Sequence, residues 1–193
     1  MNYFKVPTSL AGCPINLVGE KGQAIQISIH SPSPYICTNL ERILPDWKNQ
    51  SSSMWVVIVL QRSHYELVEK TAVVEAEKQL LREQFMRFGL DVSFNLGDRG
   101  YLTDLIDPRT GYPLRSRPGQ IPHDDTAAVQ ALLDYPIIKN ECRVLIHPDW
   151  GTAVYPSILF SLSPPIIIEW TIRDVARLHG WKQESGLGVG SRE

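Results

Sequence analysis

Residues 55–60 read Trp-Val-Val-Ile-Val-Leu, an unbroken run of apolar residues of the types that favour β-structure. A strand with one face in solvent would alternate apolar and polar residues, so this run predicts a central strand buried on both faces. The run is far shorter than the roughly 20 residues that a helix needs to cross a bilayer. We therefore expect it at the centre of a sheet in a sandwich of packed layers.

The segments on either side of this strand predict alternating strands and helices. Upstream, residues 23–30 place isoleucine at every second position, which predicts a half-buried strand. Thr38 or Asn39 is then suited to cap a short helix. Downstream, apolar residues recur at helical spacing over residues 74–88, and Gly89 is placed to end that helix.

The C-terminal half predicts shorter elements in a less regular order. They are strands at 92–96 and 101–106, a helix capped by Asp124 or Asp125, a strand pair at 142–147 and 152–162, and a last helix within 164–181. The whole order predicts an α+β fold, with a mixed or antiparallel sheet and flanking helices. It is too irregular for a doubly wound parallel fold.

The same patterns divide the chain into three parts. Residues 1–22, rich in proline and glycine, predict an irregular arm with room for a short strand at 15–18. Residues 23–181 predict a single α+β domain. Residues 182–193, rich in glycine and serine, predict a flexible tail.

Composition excludes several classes of protein without selecting one. The chain has 193 residues, of which 43% are hydrophobic, as expected for a globular domain. Lys and Arg total 19 against 21 Asp and Glu, so no basic excess points to nucleic acid or an anionic membrane. The start of the sequence lacks the apolar core of a signal peptide, and Cys13, Cys37 and Cys142 lack metal-knuckle spacing. We therefore expect a soluble, cytoplasmic protein with free thiols.

Motifs of established chemistry are absent from the sequence. It contains no GxSxG, HExxH or P-loop pattern, and no two of its five histidines have i,i+4 spacing. Asp107 precedes Pro108 and is placed to accept backbone hydrogen bonds in a turn. Taken alone, the residues predict a soluble domain with no catalytic constellation and no metal site.

Two blocks of the sequence resemble blocks of a known protein family. Residues 100–111, GYLTDLIDPRTG, resemble the GYWADFIDPxSG block of the methylmalonic aciduria and homocystinuria type D protein family. Residues 142–152, CRVLIHPDWGT, are similar to that family's C(K/R)VIxHxxWGT block, at a similar separation. With weaker similarities upstream, the resemblance covers roughly residues 23 to 163.

The resemblance implies a non-catalytic adaptor in cobalamin (vitamin B12) trafficking, with no tightly bound cofactor of its own. Its partner would be a cobalamin-processing protein, the type C protein, or a cobalamin-dependent enzyme, and a homodimer is a further option. The implied fold is a degenerate relative of the nitroreductase and flavin reductase sandwich. The alternative function is a flavin-dependent reductase of that related fold. Its candidate phosphate-binding cluster is Arg109, Arg115 and Arg117, for which a solvated loop is the other interpretation.

The resemblance also implies one candidate ligand to cobalt. In animal members a cysteine at the start of the second block coordinates the cobalt of partner-bound cobalamin, and two cysteines are adjacent there. This sequence has Glu141 followed by Cys142, so one of the pair is missing. Cys142 is thus a candidate thiolate for cobalt, with a buried structural thiol as the alternative.

The remaining residues of the two blocks have two open interpretations. Tyr101, Asp104, Asp107, His147 and Trp150 form a candidate partner-binding patch. The alternative is structural: the aspartates and the histidine would bond turn backbones, and the tryptophan would anchor the second turn by packing.

Overall fold

The computed structural model of the chain describes residues 14–139 and 143–184. The strands are β1 (Ile15–Val18), β2 (Ala24–His30), β3 (Trp55–Arg62), β4 (Thr103–Leu105), β5 (Ile137–Lys139), β6 (Arg143–Leu145), β7 (Val154–Ser161) and β8 (Lys182–Gln183). The helices are α1 (Pro34–Ile43), α2 (Ala72–Asp98), α3 (Asp125–Leu133) and α4 (Pro165–Leu178), with one 3-10 turn at Pro45–Trp47.

The apolar run at residues 55–60 forms β3 and lies inside a six-stranded sheet. The strand order is β4-β7-β3-β2-β1-β8, and each neighbouring pair is antiparallel. Ile58 of β3 lies opposite Ser28 of β2 and Ile158 of β7. Residues 56–60 are at most 2% exposed, which confirms a central strand buried on both faces.

Helices cover both faces of this sheet. On one face, α2 and α4 bring Phe85 and Ile172 against Val57 of β3. On the other face, α1 and α3 pack against the alternate residues of the same strand, such as Ile58. Because side chains alternate along a strand, each face builds its own hydrophobic core. The prediction of an α+β fold with flanking helices is confirmed.

Helix α2 is longer than the sequence predicted. It continues through Gly89, where the prediction ended it, to Asp98. A Cβ at Gly89 would lie 2.9 Å from Cδ1 of Leu105, so this glycine lets the helix approach β4 closely. The predicted strand at 92–96 was wrong because Val92 and Leu96 follow the helical face and are at most 1% exposed.

Helix α1 begins earlier than predicted, because Ser33 and not Thr38 or Asn39 caps it. The Ser33 hydroxyl accepts a hydrogen bond from the Ile36 N–H at 3.3 Å, and proline occupies the first helical position. The Thr38 and Asn39 side chains instead donate to carbonyls four residues earlier. The dense proline spacing before α1 therefore marks a helix start.

The predicted pairing of residues 142–147 with 152–162 was also wrong. Strand β6 pairs with β5 in a separate two-stranded sheet, whereas β7 pairs with β3 along its whole length and with β4. Among the described residues, a single isolated bridge joins His147 of the first predicted strand to Gly151, which lies in the turn before the second. The apolar side chains of β7 are needed for both cores, which explains why this strand joins the large sheet.

The last two helices agree with the sequence. Asp124, one of the two predicted caps, caps α3 by accepting a hydrogen bond from the Ala127 N–H at 2.8 Å. Helix α4 starts at Pro165, and Gly180 follows its end with a φ of 79° that suits glycine. These cap residues fix where the chain turns back toward the sheet.

The two ends of the described chain meet at one sheet edge. The short strand at 15–18 is present as β1, and Val18 pairs with Lys182 of β8, a residue that we assigned to the tail. Residues 1–13 and 185–193 lie outside the described part. Within residues 14–139 and 143–184, no helix is long and apolar enough to cross a membrane.

Candidate functional site

A cleft of about 550 Å³ lies where the two quoted sequence blocks meet. Arg109, Thr110 and Gly111 of the first block line one part of it, and residues 143–145 of the second block line another. The loop before α3 and the start of β7 contribute further lining residues. The blocks that carry the resemblance are thus adjacent in space although about 30 residues separate them in the chain.

Two titratable side chains lie buried in this cleft. The side chains of His123 and Asp125 are only 1% and 8% exposed, and His123 Nε2 lies 3.7 Å from Asp125 Oδ1. Neither has a hydrogen-bond partner within the described residues. Burial lowers the pKa of His123 to about 4. Burial and the negative charge of Asp107 raise the pKa of Asp125 well above its usual value, so the site favours the neutral form of both groups.

The first block holds His123 in position through its last glycine. Gly111 has a φ of 73°, and its carbonyl accepts a hydrogen bond from the His123 N–H at 2.7 Å. A Cβ at Gly111 would lie 2.5 Å from the His123 carbonyl oxygen, so only glycine permits this approach. The histidine ring then meets Phe160 edge-on at 5.2 Å between centroids, which fixes its plane.

The mouth of the cleft carries more positive than negative charge. Lys78 and the exposed Arg109 and Arg143 line it, and Asp124 forms an ion pair with Arg143. Tyr155 also lines the cleft, and burial together with nearby carboxylates raises the pKa of its phenol. An electrically positive mouth over a neutral polar floor is suited to a negatively charged ligand.

Asp104 of the first block is fully buried and organises a loop. Its Oδ1 accepts hydrogen bonds from the N–H groups of Leu105, Leu114 and Arg115 at 2.8, 3.2 and 2.9 Å. Its Oδ2 accepts one from the Ser116 N–H at 2.6 Å. With 0% exposure and these four donors, the carboxylate fastens the loop after residue 112 to β4.

Asp107 pairs with an arginine that the sequence analysis did not identify. Nε and Nη2 of Arg82, on α2, donate to its two oxygens at 2.6 and 2.8 Å. The turn adds hydrogen bonds from the Arg109 N–H and the Thr110 hydroxyl. These bonds, led by that from Arg82, lower the pKa of Asp107 below its ordinary value. The predicted turn role is present, and a bidentate ion pair is added to it.

His147 fixes the turn of the second block from within. Its Nδ1 accepts hydrogen bonds from the N–H groups of Asp149 and Trp150 at 3.1 and 3.2 Å. The proton therefore resides on Nε2, which donates to Oε1 of Gln26 at 3.2 Å. The ring stacks on Trp150 at 4.1 Å and meets Tyr135 edge-on at 5.4 Å. Burial lowers the pKa of His147.

The five residues of the predicted partner patch do not share one surface. Tyr101 packs against the core beneath α2 and α4, whereas Trp150 packs against the core on the other face of the sheet. Asp104, Asp107 and His147 are at most 4% exposed. These buried residues hold turns, and it is the turns that lie at the surface.

The predicted thiolate falls outside the described part of the chain. Residues 140–142, including Cys142, lie in the gap between the two described ranges. Cys37, on α1, is exposed as a free thiol. In the described ranges, no group of three or more His, Cys, Asp or Glu side chains is arranged to hold a metal ion.

The three arginines proposed as a phosphate-binding cluster have separate partners. Arg115 donates to the Ser93 hydroxyl at 2.6 Å, and Arg117 pairs with Asp46. Arg109 alone of the three lines the cleft at the two blocks. Sequence reasoning gave Arg82, His123 and Asp125 no role in a site, because Arg82 is a single polar residue inside a helix and the other two lie at or just before a helix start, without a motif around them.

Comparison with known proteins assigns the chain to a family. A family model for the methylmalonic aciduria and homocystinuria type D protein matches residues 18–168. The chain belongs to this family. The match confirms the resemblance of the two blocks, both of which lie inside the matched range.

Curated relatives in the family come from mammals. The rat and human proteins, each named "Cobalamin trafficking protein CblD", are 22% identical to this chain over 143 and 147 residues. The alignments cover 71% and 73% of this chain but 46% and 47% of the relatives. The chain thus spans about half the length of the curated relatives it matches.

Proposed function

We propose that the chain is a non-catalytic adaptor in cobalamin trafficking, acting in the cytoplasm with a cobalamin-processing partner. Membership of the type D family supports this role, and the relatives that it matches carry the name of a cobalamin trafficking protein. The proposed partner is a protein of the type C kind. A homodimer is a second proposed assembly, which light scattering of the purified chain distinguishes from a monomer.

One structural observation carries the adaptor proposal. The buried polar residues of the family-like blocks, Asp104, Asp107 and His147, direct their hydrogen bonds to backbone amides and neighbouring side chains. Side chains engaged in this way shape turns and are not free to take up or release substrate protons. Sequence blocks that shape a surface and do not form a catalytic site are what we expect of a binding protein.

The proposed partner surface is the exposed part of the two turns. Arg109 and Thr110 are exposed in the first turn, and Asp149 is exposed in the second. Asp107 and His147 act behind these residues by holding the turn backbones. This assigns binding to the exposed residues and positioning to the buried ones, and it refines the five-residue patch predicted from sequence.

Cys142 is the proposed thiolate for cobalt when a partner presents cobalamin. A thiolate is a soft ligand suited to this metal. Its neighbour in sequence, Arg143, lines the cleft at the two blocks and pairs with Asp124. The cobalamin is cargo in this proposal, and the partner supplies most of its binding site.

The proposal includes a distant fold relationship to the nitroreductase and flavin reductase sandwich. The antiparallel sheet with helices on both faces supports it. The competing function, a flavin-dependent reductase, would need a phosphate-binding cluster. The dispersed arginines described above offer it little support, since Arg115 and Arg117 bond to other parts of the fold.

An absorbance titration tests the proposal. The purified chain is scanned for bound flavin and then mixed with cob(II)alamin, with and without a type C partner. We expect no flavin spectrum and a change in the cobalamin spectrum that needs both proteins. A strong flavin spectrum with oxidation of nicotinamide cofactor would overturn the adaptor proposal.

Matched cysteine variants test the thiolate separately. Cys142→Ala is expected to abolish the spectral change while leaving the complex intact by size-exclusion chromatography. Cys37→Ala, at the exposed thiol on α1, is the control and should behave as the unmodified chain does. A spectral change that persists in Cys142→Ala rejects the thiolate but not the adaptor.

A further inference from the structure

We propose that the cleft at the two blocks binds a small aliphatic carboxylate, with its carboxylate group on His123 and Asp125. This activity goes beyond the adaptor role and does not depend on it, because it needs neither cobalamin nor a partner protein. The inference rests on three features of the cleft: unpartnered polar groups on its floor, positive charge at its mouth and an apolar annex beside it.

The floor of the cleft offers hydrogen-bond donors that the protein leaves unused. Within the described ranges, both ring nitrogens of His123 and both carboxyl oxygens of Asp125 are buried without a hydrogen-bond partner. A buried polar group without a hydrogen-bond partner destabilises the folded state, so such groups are uncommon in folded proteins. In their neutral forms, the imidazole N–H and the carboxyl O–H can each donate to one ligand oxygen. A carboxylate accepts two such bonds.

Positive charge around the floor favours an anion. Lys78 and Arg82 belong to α2, Arg109 to the turn after β4 and Arg143 to β6. The negative groups nearby are Asp107, paired with Arg82, and Asp124, paired with Arg143. Tyr155 on β7 is uncharged, because its pKa is raised. Lys78 is paired with Glu75, so these pairs leave Arg109 as the excess positive charge around the floor.

A second cavity beside the cleft defines the rest of the ligand. It has a volume of about 360 Å³ and shares Tyr35, His123, Asp124 and Arg143 with the cleft. Its other lining residues are mostly apolar: Ile36, Ala127, Ala128 and Ala131. Small aliphatic side chains leave room for a short hydrocarbon chain, and burial of each methylene should strengthen binding about fourfold. The combined shape fits a short-chain carboxylate better than a bare inorganic anion.

Calorimetry on the full chain tests the proposal with three probes. Butyrate is expected to bind more tightly than acetate, and inorganic phosphate is expected to bind more weakly than butyrate. Equal binding of butyrate and acetate would reject the annex, and binding of phosphate alone would reject the carboxylate. Binding of Zn²⁺ that requires His123 and Asp125, without binding of butyrate, would overturn the proposal as a whole.

The pH dependence identifies the donor. Ionisation of Asp125 removes its O–H and adds a negative charge, so butyrate binding should weaken as pH rises over the range that contains the raised pKa of Asp125. Asp125→Asn keeps an N–H donor that does not ionise, and its binding should be nearly constant over that range. A wild-type affinity that does not change with pH, or an Asn variant with the wild-type slope, contradicts this assignment.

Substitutions on the floor and at the mouth separate the two contributions. His123→Phe keeps a ring against Phe160 but removes both nitrogens, and it should weaken butyrate binding about tenfold or more. Arg109→Gln should weaken binding about threefold, and less at high salt. The matched charge control is Arg177→Gln on α4, which is 76% exposed and should have no effect. Equal effects of the two arginine variants would overturn the role of the mouth.

Discussion

Two buried aspartates, Asp104 and Asp125, show opposite uses of the same side chain. Asp104 is 0% exposed and accepts hydrogen bonds from four backbone N–H groups. Asp125 is 9% exposed and has no hydrogen-bond partner within the described residues. Burial alone therefore does not identify a functional carboxylate in this protein. What distinguishes them is whether the fold already satisfies their hydrogen-bonding capacity.

The largest effect on stability is expected at Asp104, whose carboxylate already accepts four hydrogen bonds. Asp104→Ala leaves the N–H groups of Arg115 and Ser116 without their acceptor and should lower the free energy of unfolding by about 3 kcal/mol. Asp104→Asn keeps one acceptor oxygen and should cost less. Urea unfolding measures both, with Asp98→Ala at the exposed end of α2 as the surface control. A loss in Asp104→Ala no larger than in the control would contradict the structural role.

The ion pair of Asp107 should give the next largest effect. A double-mutant cycle with Arg82→Met and Asp107→Asn should show a coupling of about 2 kcal/mol, because the side chains are 20% and 6% exposed. The lowered pKa of Asp107 gives the sign of the pH dependence. This stabilisation is present above the ordinary pKa of 3.8 and is lost as pH falls through the lower folded value. A coupling near zero would show that Arg82 does not secure the turn.

A smaller effect is expected at His147. His147→Phe keeps the ring against Trp150 and Tyr135 but removes the acceptor for two backbone N–H groups, which should cost about 1 kcal/mol. The lowered pKa of His147 means that its neutral form is favoured in the folded state. Wild-type stability should therefore fall below pH 6.5, and the Phe variant should lack that part of the slope. An unchanged slope would contradict this account.

Local chemistry made much of the fold predictable from sequence. The all-apolar run at 55–60 and the alternation at 23–30 identified β3 and β2, because burial on both faces or on one face leaves a clear pattern. The errors came from tertiary contacts. Gly89 resembles a helix end, yet it lies inside α2 because β4 approaches it there. Strand β7 pairs with β3 and not with the segment that precedes it in sequence, because its apolar side chains are buried on both faces of the large sheet.

The site was less predictable than the fold. The two blocks were identified as important, and both line the cleft. The residues on its floor were missed because the lack of hydrogen-bond partners at His123 is a property of three-dimensional packing, with no sequence pattern. Asp125 was considered only as an alternative cap for α3, a role that Asp124 fulfils.

The most direct test of this contrast is the pH dependence of stability in Asp125→Asn. The raised pKa of Asp125 means that its contribution to stability is present below the ordinary pKa of 3.8 and is lost as pH rises through the folded value. We predict that urea unfolding finds the Asn variant equal to wild type near pH 4 and more stable than wild type at pH 7. An Asn variant that is less stable than wild type at pH 7 would show that Asp125 is satisfied by the fold and would contradict the account.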